Sequence, residues 1–198
     1  QCLVYMRAYG QTLFRNSMVE YLSPIYHAVN TAPWLNIYEF AKDERARLYA
    51  KAILDRMLAD LAVNSHHGII IPPVARAKGL MTDSYQLSTV RSNTQWTAWL
   101  YWGAGNMEAS REAIRATDTW HKSPLALHAV SDYIPDPVIR NLGAKQVRMP
   151  YAMWQSSANQ ETMGPAYANP FGLPDPPVRV GVNARACVRS TYVSKGYA

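Results

Sequence analysis

The stretch EYLSPIYHAVNTAPWLNIYEFAKDERARLYAKAILDRMLADLAVNSHHG, residues 20–68, decides the fold of this chain. Its first part predicts a short apolar helix with Thr31 as the N-cap. The proline two residues later falls in the first turn, where its missing N–H does no harm. The clearly polar members of this helix are Asn36 and Glu39, so we expect it to be buried on almost all sides.

The second part of the stretch predicts a longer, amphipathic helix at about residues 44–63, with Asp43 as its N-cap. Apolar side chains recur at helical spacing on one face, namely Ala46, Ala50, Ile53, Leu54, Met57 and Leu61. Opposite charges lie one turn apart on the other face, where they can form ion pairs: Lys51 with Asp55 and Arg56 with Asp60.

An apolar helix joined by a tight turn to an amphipathic helix predicts an antiparallel hairpin with an inner and an outer member. The chain then starts the inner helix and leaves the outer helix at the same end of the hairpin. This geometry places four side chains near one another, Tyr26, Asn64, His66 and His67. We take this end of the hairpin as the predicted functional site.

The composition describes a globular protein, and its charge favours an anionic partner. The 198 residues are 48% hydrophobic and 17% charged, which argues against disorder and allows one domain with a real core. The net charge of +6 favours an anionic partner. The sequence contains no block of Lys and Arg of the kind that marks nucleic-acid-binding segments. No apolar run reaches the roughly 18 residues of a membrane span. We therefore expect neither a nucleic acid nor a membrane as partner.

No cofactor and no metal is predicted. The sequence lacks the metal-binding spacings HxH, HExxH and CxxC. His66 and His67 are adjacent, and neighbouring residues of a helix point in different directions, so they make a poor chelate.

The rest of the chain predicts a second hairpin and then strands. Residues 1–19 are broken by a glycine and an asparagine, and we interpret them as irregular or weakly extended. Asn93 can cap an apolar helix that ends at Trp102, and an amphipathic helix at about residues 106–117 follows. Since this repeats the order of the first hairpin, the two pairs predict a helical toroid or solenoid.

Shorter elements complete the prediction. Helices are expected to start at Ser123 and at Asp136, each followed by a proline. Strands are expected at 146–154, 179–182 and 186–193. We therefore divide the chain into a helical part, residues 1–145, and a proline-rich linker with the start of a β-domain, residues 146–198.

Four short motifs carry a family resemblance: EYLSPIY at 20–26, LNIYEFA at 35–41, DLAVNSH at 60–66 and STYVSKGYA at 190–198. With them the chain resembles the heparinase II/III-like and alginate-lyase-like superfamily of (α/α) toroid proteins. The resemblance implies a mainly α fold, an incomplete (α/α) toroid of inner–outer helical hairpins followed by the first strands of a β-sandwich, in a fragment of a longer protein. It also implies a polysaccharide lyase that acts on an anionic, uronate-containing polysaccharide, and hence a secreted or periplasmic protein.

β-Elimination of a uronate requires a group that neutralises the C6 carboxylate, a base for the C5 proton and an acid for the leaving oxygen. Asn64 or Arg76 suits the first role, because an amide or a guanidinium can bind a carboxylate. His66 or His67 can be the base, since an imidazole titrates near neutral pH. The choice within each pair stays open.

A tyrosine, Tyr26 or Tyr85, is the expected acid, and Glu20 is expected to contact the substrate. Glu20 with Asp83 also gives an alternative function, a glycoside hydrolase, which needs two carboxylates across a cleft. A third possibility is a non-catalytic glycan-binding module. The candidates also have structural interpretations, because Asn64 can end a helix and a tyrosine can be a packing residue.

Overall fold

The computed structural model describes residues 2–18, 21–66, 69–71, 93–103, 119–156 and 188–196. These residues are mainly helical, as the sequence predicts, with two small antiparallel sheets of two strands each. The helices are α1 Cys2–Asn16, α2 Tyr26–Phe40, α3 Glu44–Val63, α4 Asn93–Trp102, α5 Thr119–Val130 and α6 Pro137–Gly143. The strands are β1 Ser65–His66, β2 Ile69–Ile70, β3 Tyr151–Ser156 and β4 Val188–Val193. No helix in these ranges combines the length and the apolar character that crossing a membrane requires.

The N-terminal segment is helical, so the expectation of irregular structure there is wrong. Met6 and Leu13 of α1 are buried in the same core as α3. Gly10 is also buried, and a Cβ at this position would lie 3.6 Å from Ile53 of α3. Packing against α3 therefore stabilises α1 and offsets the low helix propensity of a glycine in its interior.

Helix α2 begins at Tyr26, upstream of the predicted N-cap Thr31. Thr31 lies inside the helix, where its hydroxyl donates to the carbonyl of Ala28 at 2.6 Å, so its polar group is satisfied without a cap. Pro33 also lies inside the helix, which removes one backbone hydrogen bond. The burial expected on almost all sides is wrong at the C-terminal end, because Phe40 is 78% exposed.

Helix α3 agrees with its prediction in its bounds, its cap and its apolar face. Asp43 caps the helix by accepting a hydrogen bond from the N–H of Arg45 at 2.8 Å. The six predicted apolar residues are all buried. The charged face differs at one position, since Asp60 is also buried while it pairs with Arg56 as predicted.

Helices α2 and α3 form the predicted antiparallel hairpin. Near the connection, Nε of Arg47 donates to the carbonyl of Tyr38 at 3.0 Å. At the opposite end, Nδ2 of Asn64 donates to Oη of Tyr21 at 2.8 Å. The segment before α2 therefore meets the segment after α3.

The later helices pack around this hairpin. Helix α4 begins beside the start of α2, because the N–H of Thr94 donates to the carbonyl of Pro24 at 3.1 Å. Helix α5 packs on α2 and α4, and α6 packs on α3 and α4. Asp136 caps α6, as predicted. The last residue of α6, Gly143, lies so close to the ring of Trp102 that a Cβ would overlap it, so this position requires glycine.

Strands β3 and β4 form an antiparallel hairpin whose register runs from Tyr151 opposite Val193 to Ser156 opposite Val188. Successive side chains of a strand point to opposite faces. One face is turned towards the helices and includes the buried Thr191 and Val193. The expected strands here are therefore confirmed with shifted bounds.

Two further expectations lie outside the described residues, the strand at 179–182 and the helix at 106–117. The division of the chain after residue 145 falls between α6 and β3 and stays a prediction.

Candidate functional site at the C-terminal end of α3

Three hydrogen bonds connect the segments that carry the predicted site. The N–H of Ile70 in β2 donates to Oε1 of Gln95 in α4 at 3.2 Å. Oγ1 of Thr94 donates to the carbonyl of Ser23 at 2.7 Å, and Oγ of Ser23 accepts from the N–H of Tyr26 at 3.3 Å. The first turns of α2 and α4 and the β1–β2 pair therefore meet where α3 ends, a region that we call the α3 C-terminal end.

Asn64 is fully buried, and its side-chain amide is fully used. Nδ2 donates to Oη of Tyr21 and to the carbonyl of Asp60, both at 2.8 Å, and Oδ1 accepts from Oγ1 of Thr191 at 2.7 Å. A carboxamide has two N–H donors, and both are engaged. Asn64 thus joins α3 to β4, and binding a substrate carboxylate would require these bonds to be exchanged.

Asp60 is the charged centre of the same buried network. Its carboxylate accepts hydrogen bonds from Oγ of Ser17, Nη1 of Arg56 and Nε2 of Gln155. A buried carboxylate is costly unless it is paired and hydrogen-bonded, and these donors meet that requirement. Because they come from the end of α1, from α3 and from β3, the network connects three parts of the fold.

Tyr21 extends the network to the β3–β4 hairpin. Its Oη donates to Oε1 of Gln155 at 2.6 Å. Burial, and next the charge of Asp60, raise the pKa of Tyr21 well above its ordinary value, so the phenol stays protonated. The guanidinium of Arg189 lies 4.3 Å from the centre of the Tyr21 ring, in a cation–π contact. A half-buried cation is thereby fixed at this end.

Lys145 and Tyr151 cap the last turn of α3. Nζ of Lys145 donates to the carbonyl of Ala62 and to Oη of Tyr151, each at 2.8 Å, and Oη of Tyr151 donates to the carbonyl of Val63 at 2.9 Å. Carbonyls at the end of a helix lack partners in the helix and attract a cation. Burial lowers the pKa of Lys145 to about 8 and raises the pKa of Tyr151 to about 12. The arrangement stabilises α3, since every polar atom in it bonds to another part of the chain.

Two of the predicted catalytic side chains belong to the α3 C-terminal end. Tyr26 is half-buried and is the first residue of α2. His66 lies in β1 opposite Ile69 of β2 and is 7% exposed. Their roles as acid and base stay predictions. Five further candidates lie outside the described residues: Glu20, His67, Arg76, Asp83 and Tyr85.

Sequence reasoning missed most of the residues that surround Asn64. Thr191 is 127 residues away from it along the chain, and Gln155 is 134 residues away from Tyr21. No helical or strand periodicity connects positions so far apart. Two partners of Asn64 were within reach, because Asp60 lies four residues before it and Tyr21 lies in the same EYLSPIY motif as Tyr26.

A second polar cluster lies in the helical interior around His128 of α5. Its Nε2 is 2.6 Å from Oγ1 of Thr31, and its Nδ1 is 2.7 Å from Oη of Tyr101. The Thr31 hydroxyl already donates to Ala28, so we assign a proton to Nε2 and an acceptor role to Nδ1. This neutral tautomer agrees with the pKa of His128, which burial, and next the neighbouring His27, lower to about 3.

His27 of α2 is the second buried imidazole of this cluster. It is 1% exposed, and neither of its ring nitrogens has a hydrogen bond of normal geometry within the described part of the chain. Burial lowers its pKa to about 4, against smaller opposing effects of Asp60 and of the Met57 backbone. The Met57 backbone influences the ring without forming a well-aligned hydrogen bond. His27 is therefore neutral and is held by packing.

The described ranges contain no group of three or more His, Cys, Asp or Glu side chains that could hold a metal ion. Comparison of the chain with protein-family models, with curated proteins and with solved structures finds no match. The function therefore has to be argued from the residues and their geometry.

Proposed function

We propose that this protein is polysaccharide lyase-like and cleaves an anionic, uronate-containing polysaccharide by β-elimination at the α3 C-terminal end. The observation that carries the proposal is the meeting, at this end, of the first turn of α2 with Tyr26 and of strand β1 with His66. A phenol and an imidazole are suitable acid and base for this reaction. The net charge of +6 suits a polyanionic substrate.

The proposed scaffold is an incomplete (α/α) toroid with the first strands of a β-sandwich. Helices α2 and α4 start at the same end and pack on each other, as the inner helices of a toroid would. Helix α3 returns antiparallel to α2, which supplies one inner–outer hairpin. The β3–β4 hairpin would be the first piece of the sandwich.

In the proposed reaction, neutral His66 takes the C5 proton of a uronate and Tyr26 gives its proton to the oxygen that leaves C4. The C5–H and C4–O bonds break and a C4=C5 double bond forms. Proton exchange with solvent then restores both side chains. Arg189 is the group proposed to neutralise the C6 carboxylate, because it is a half-buried cation at this end, while the amide of Asn64 is engaged in the fold.

The test is the absorbance of unsaturated uronate product during incubation with alginate, polygalacturonate or heparin. We expect Tyr26→Phe and His66→Ala each to lower kcat by about a hundredfold or more, with little change in the affinity for the polymer. Tyr5→Phe is the matched control, since Tyr5 is an exposed tyrosine of α1, and it should leave the rate unchanged. No product from any of these polymers would reject the lyase proposal, and unchanged rates in both variants would reject the residue assignment.

A non-catalytic glycan-binding module is the second candidate. It is favoured by two exposed aromatic side chains of the β3–β4 hairpin, Trp154 and Tyr192. Binding of the polymer without any unsaturated product would support this candidate over the lyase. The hydrolase alternative depends on Glu20 and Asp83, which lie outside the described residues.

A further inference from the structure

The face of the β3–β4 hairpin that points away from the helices carries an aromatic pair. Trp154 is 73% exposed and Tyr192 is 46% exposed. Directly across from them stand small side chains, Ser190 opposite Trp154 and Ala152 opposite Tyr192. All four residues are exposed, so both rings have an open side. We call these four residues the aromatic face.

The two rings are diagonal neighbours on the antiparallel pair. Such positions lie about 7–8 Å apart, within reach of one another for large side chains. One short stretch of an extended polymer can therefore contact both rings at once. A tryptophan with most of its surface in water forgoes the stabilisation that burial gives, and neighbouring exposed aromatic rings offer an apolar surface to a partner.

The orientation of the aromatic face is fixed by the opposite face of the same hairpin. Gln155 and Thr191, the sequence neighbours of Trp154 and Tyr192, bond to Asp60 and Asn64 respectively. Because side chains alternate along a strand, these buried bonds hold the two rings on the outer side. The strands that carry the aromatic face are therefore held in place before any ligand binds, which lowers the entropy lost on binding.

The charges near the aromatic face indicate the chemistry of its partner. Arg148 and Lys195 are exposed and lie just beyond the end of the hairpin where Tyr151 pairs with Val193. A partner that fits must offer flat apolar faces to the rings and negative charge to these cations. The ring of a uronate has such C–H faces and a carboxylate, and a uronate polymer repeats both.

We propose that the aromatic face is a binding surface for an anionic polysaccharide chain, separate from the α3 C-terminal end, with the sugar rings stacked on Trp154 and Tyr192. The identity of the polymer class rests on the proposed function. The surface itself rests on the register, the exposure and the neighbouring cations.

The experiment is native gel electrophoresis of the whole chain in gels that contain alginate or polygalacturonate, with dextran as a neutral polymer. Trp154→Ala and Tyr192→Ala should each weaken the retardation by the anionic polymers at least about fivefold, expressed as Kd. Phe40→Ala is the matched control, because Phe40 is 78% exposed on the helical part, and it should leave Kd unchanged. Circular dichroism should show the same helix content and Tm in all variants, since the substituted rings are exposed.

The outcomes separate this surface from the lyase proposal. If Trp154→Ala loses the retardation, the proposed binding surface is supported. This holds whether or not the wild type forms unsaturated product. Equal retardation of wild type and both variants overturns it, even if the protein cleaves the polymer. Equal retardation by dextran overturns the anionic class of the ligand. A wild-type dimer in gel filtration that Trp154→Ala converts to a monomer overturns the proposal in favour of a second copy of the chain as the occupant.

Discussion

Mild acid should destabilise this protein strongly, because two of its histidines are buried in their neutral form. Burial lowers the pKa of His27 to about 4 and the pKa of His128 to about 3, from an ordinary value of 6.5. Unfolding restores the ordinary value. Between these pKa values the unfolded chain binds two protons that the folded protein does not accept, so the free energy of unfolding falls as the pH falls below 6.5.

The size of the effect follows from the same pKa values. A difference of one pKa unit corresponds to about 1.4 kcal/mol. Between about pH 8 and about pH 5, each histidine therefore removes about 2 kcal/mol from the free energy of unfolding, and the two together remove about 4 kcal/mol. Domains of this kind are stable by only about 5–15 kcal/mol, so the loss is large. The Asp60 carboxylate raises the pKa of His27 and so limits this loss.

The assay is urea unfolding at a series of pH values for the wild type and for His27→Leu. The substitution replaces a ring that has no well-formed hydrogen bond by an apolar side chain of similar size. We expect the slope of stability against pH between about pH 6 and about pH 5 to fall by roughly half, with stability at about pH 7.5 unchanged or about 1 kcal/mol higher.

The comparison variant is His128→Gln, which removes the other titrating ring. Its slope should also fall, but its stability at neutral pH should decrease, because the bonds of His128 to Thr31 and Tyr101 are disturbed. A slope that stays at the wild-type value in both variants would refute the reasoning, since the acid sensitivity would then come from other groups.

Two further predictions concern buried positions, measured by urea unfolding and by Tm. Asn64→Ala should lower the free energy of unfolding by about 2–3 kcal/mol, because it removes the donor to Oη of Tyr21 and leaves a buried hydroxyl of β4 without its acceptor. The exposed Asn36→Ala on α2 is the control, and a loss no larger than that of the control would contradict the network. Gly143→Ala should cost about 1–3 kcal/mol, because its Cβ would overlap the ring of Trp102. Gly196→Ala, where a Cβ meets open space, should be neutral, and equal stability of the two alanine variants would contradict the close contact.

Helix α3 could be predicted from sequence because its determinants are local. The cap lies two residues from the N–H that it binds, and the apolar positions repeat within one turn of each other. The chain reversal then followed from the short connection between α2 and α3. These are short-range rules, and they correctly predicted that the segment before α2 meets the segment after α3.

The errors arose where distant packing decided the structure. Gly10 was interpreted as a break, although it lies buried inside α1 and next to Ile53 of α3. Thr31 was interpreted as a cap, although its hydroxyl can donate within the helix and accept from His128, 97 residues away. Asp60 was predicted to lie on the solvent-exposed face of α3. Two of its donors, Ser17 and Gln155, are not its neighbours in sequence, so its burial could not be expected. In each case a polar or small residue can have a role within its own segment or a role in packing against a distant segment. The sequence pattern shows only the first of these roles.

The buried network and the aromatic face have a common origin in the period of a β-strand. A shift of β3 by one residue against β4 would send every side chain of β3 to the other face. The shift would turn Trp154 towards the helices and expose Gln155. The buried carboxylate of Asp60 would then lose its hydrogen bond from Gln155. The cost of removing one of the three donors of a buried carboxylate favours the observed register. The network therefore decides which rings face solvent. A substitution that weakens the network, such as Asn64→Ala, should also weaken binding of the polymer to the aromatic face, although Asn64 is not part of that face. If Asn64→Ala loses stability but keeps full retardation in the alginate gel, the orientation of the aromatic face does not depend on the network. The hairpin alone would then hold that face.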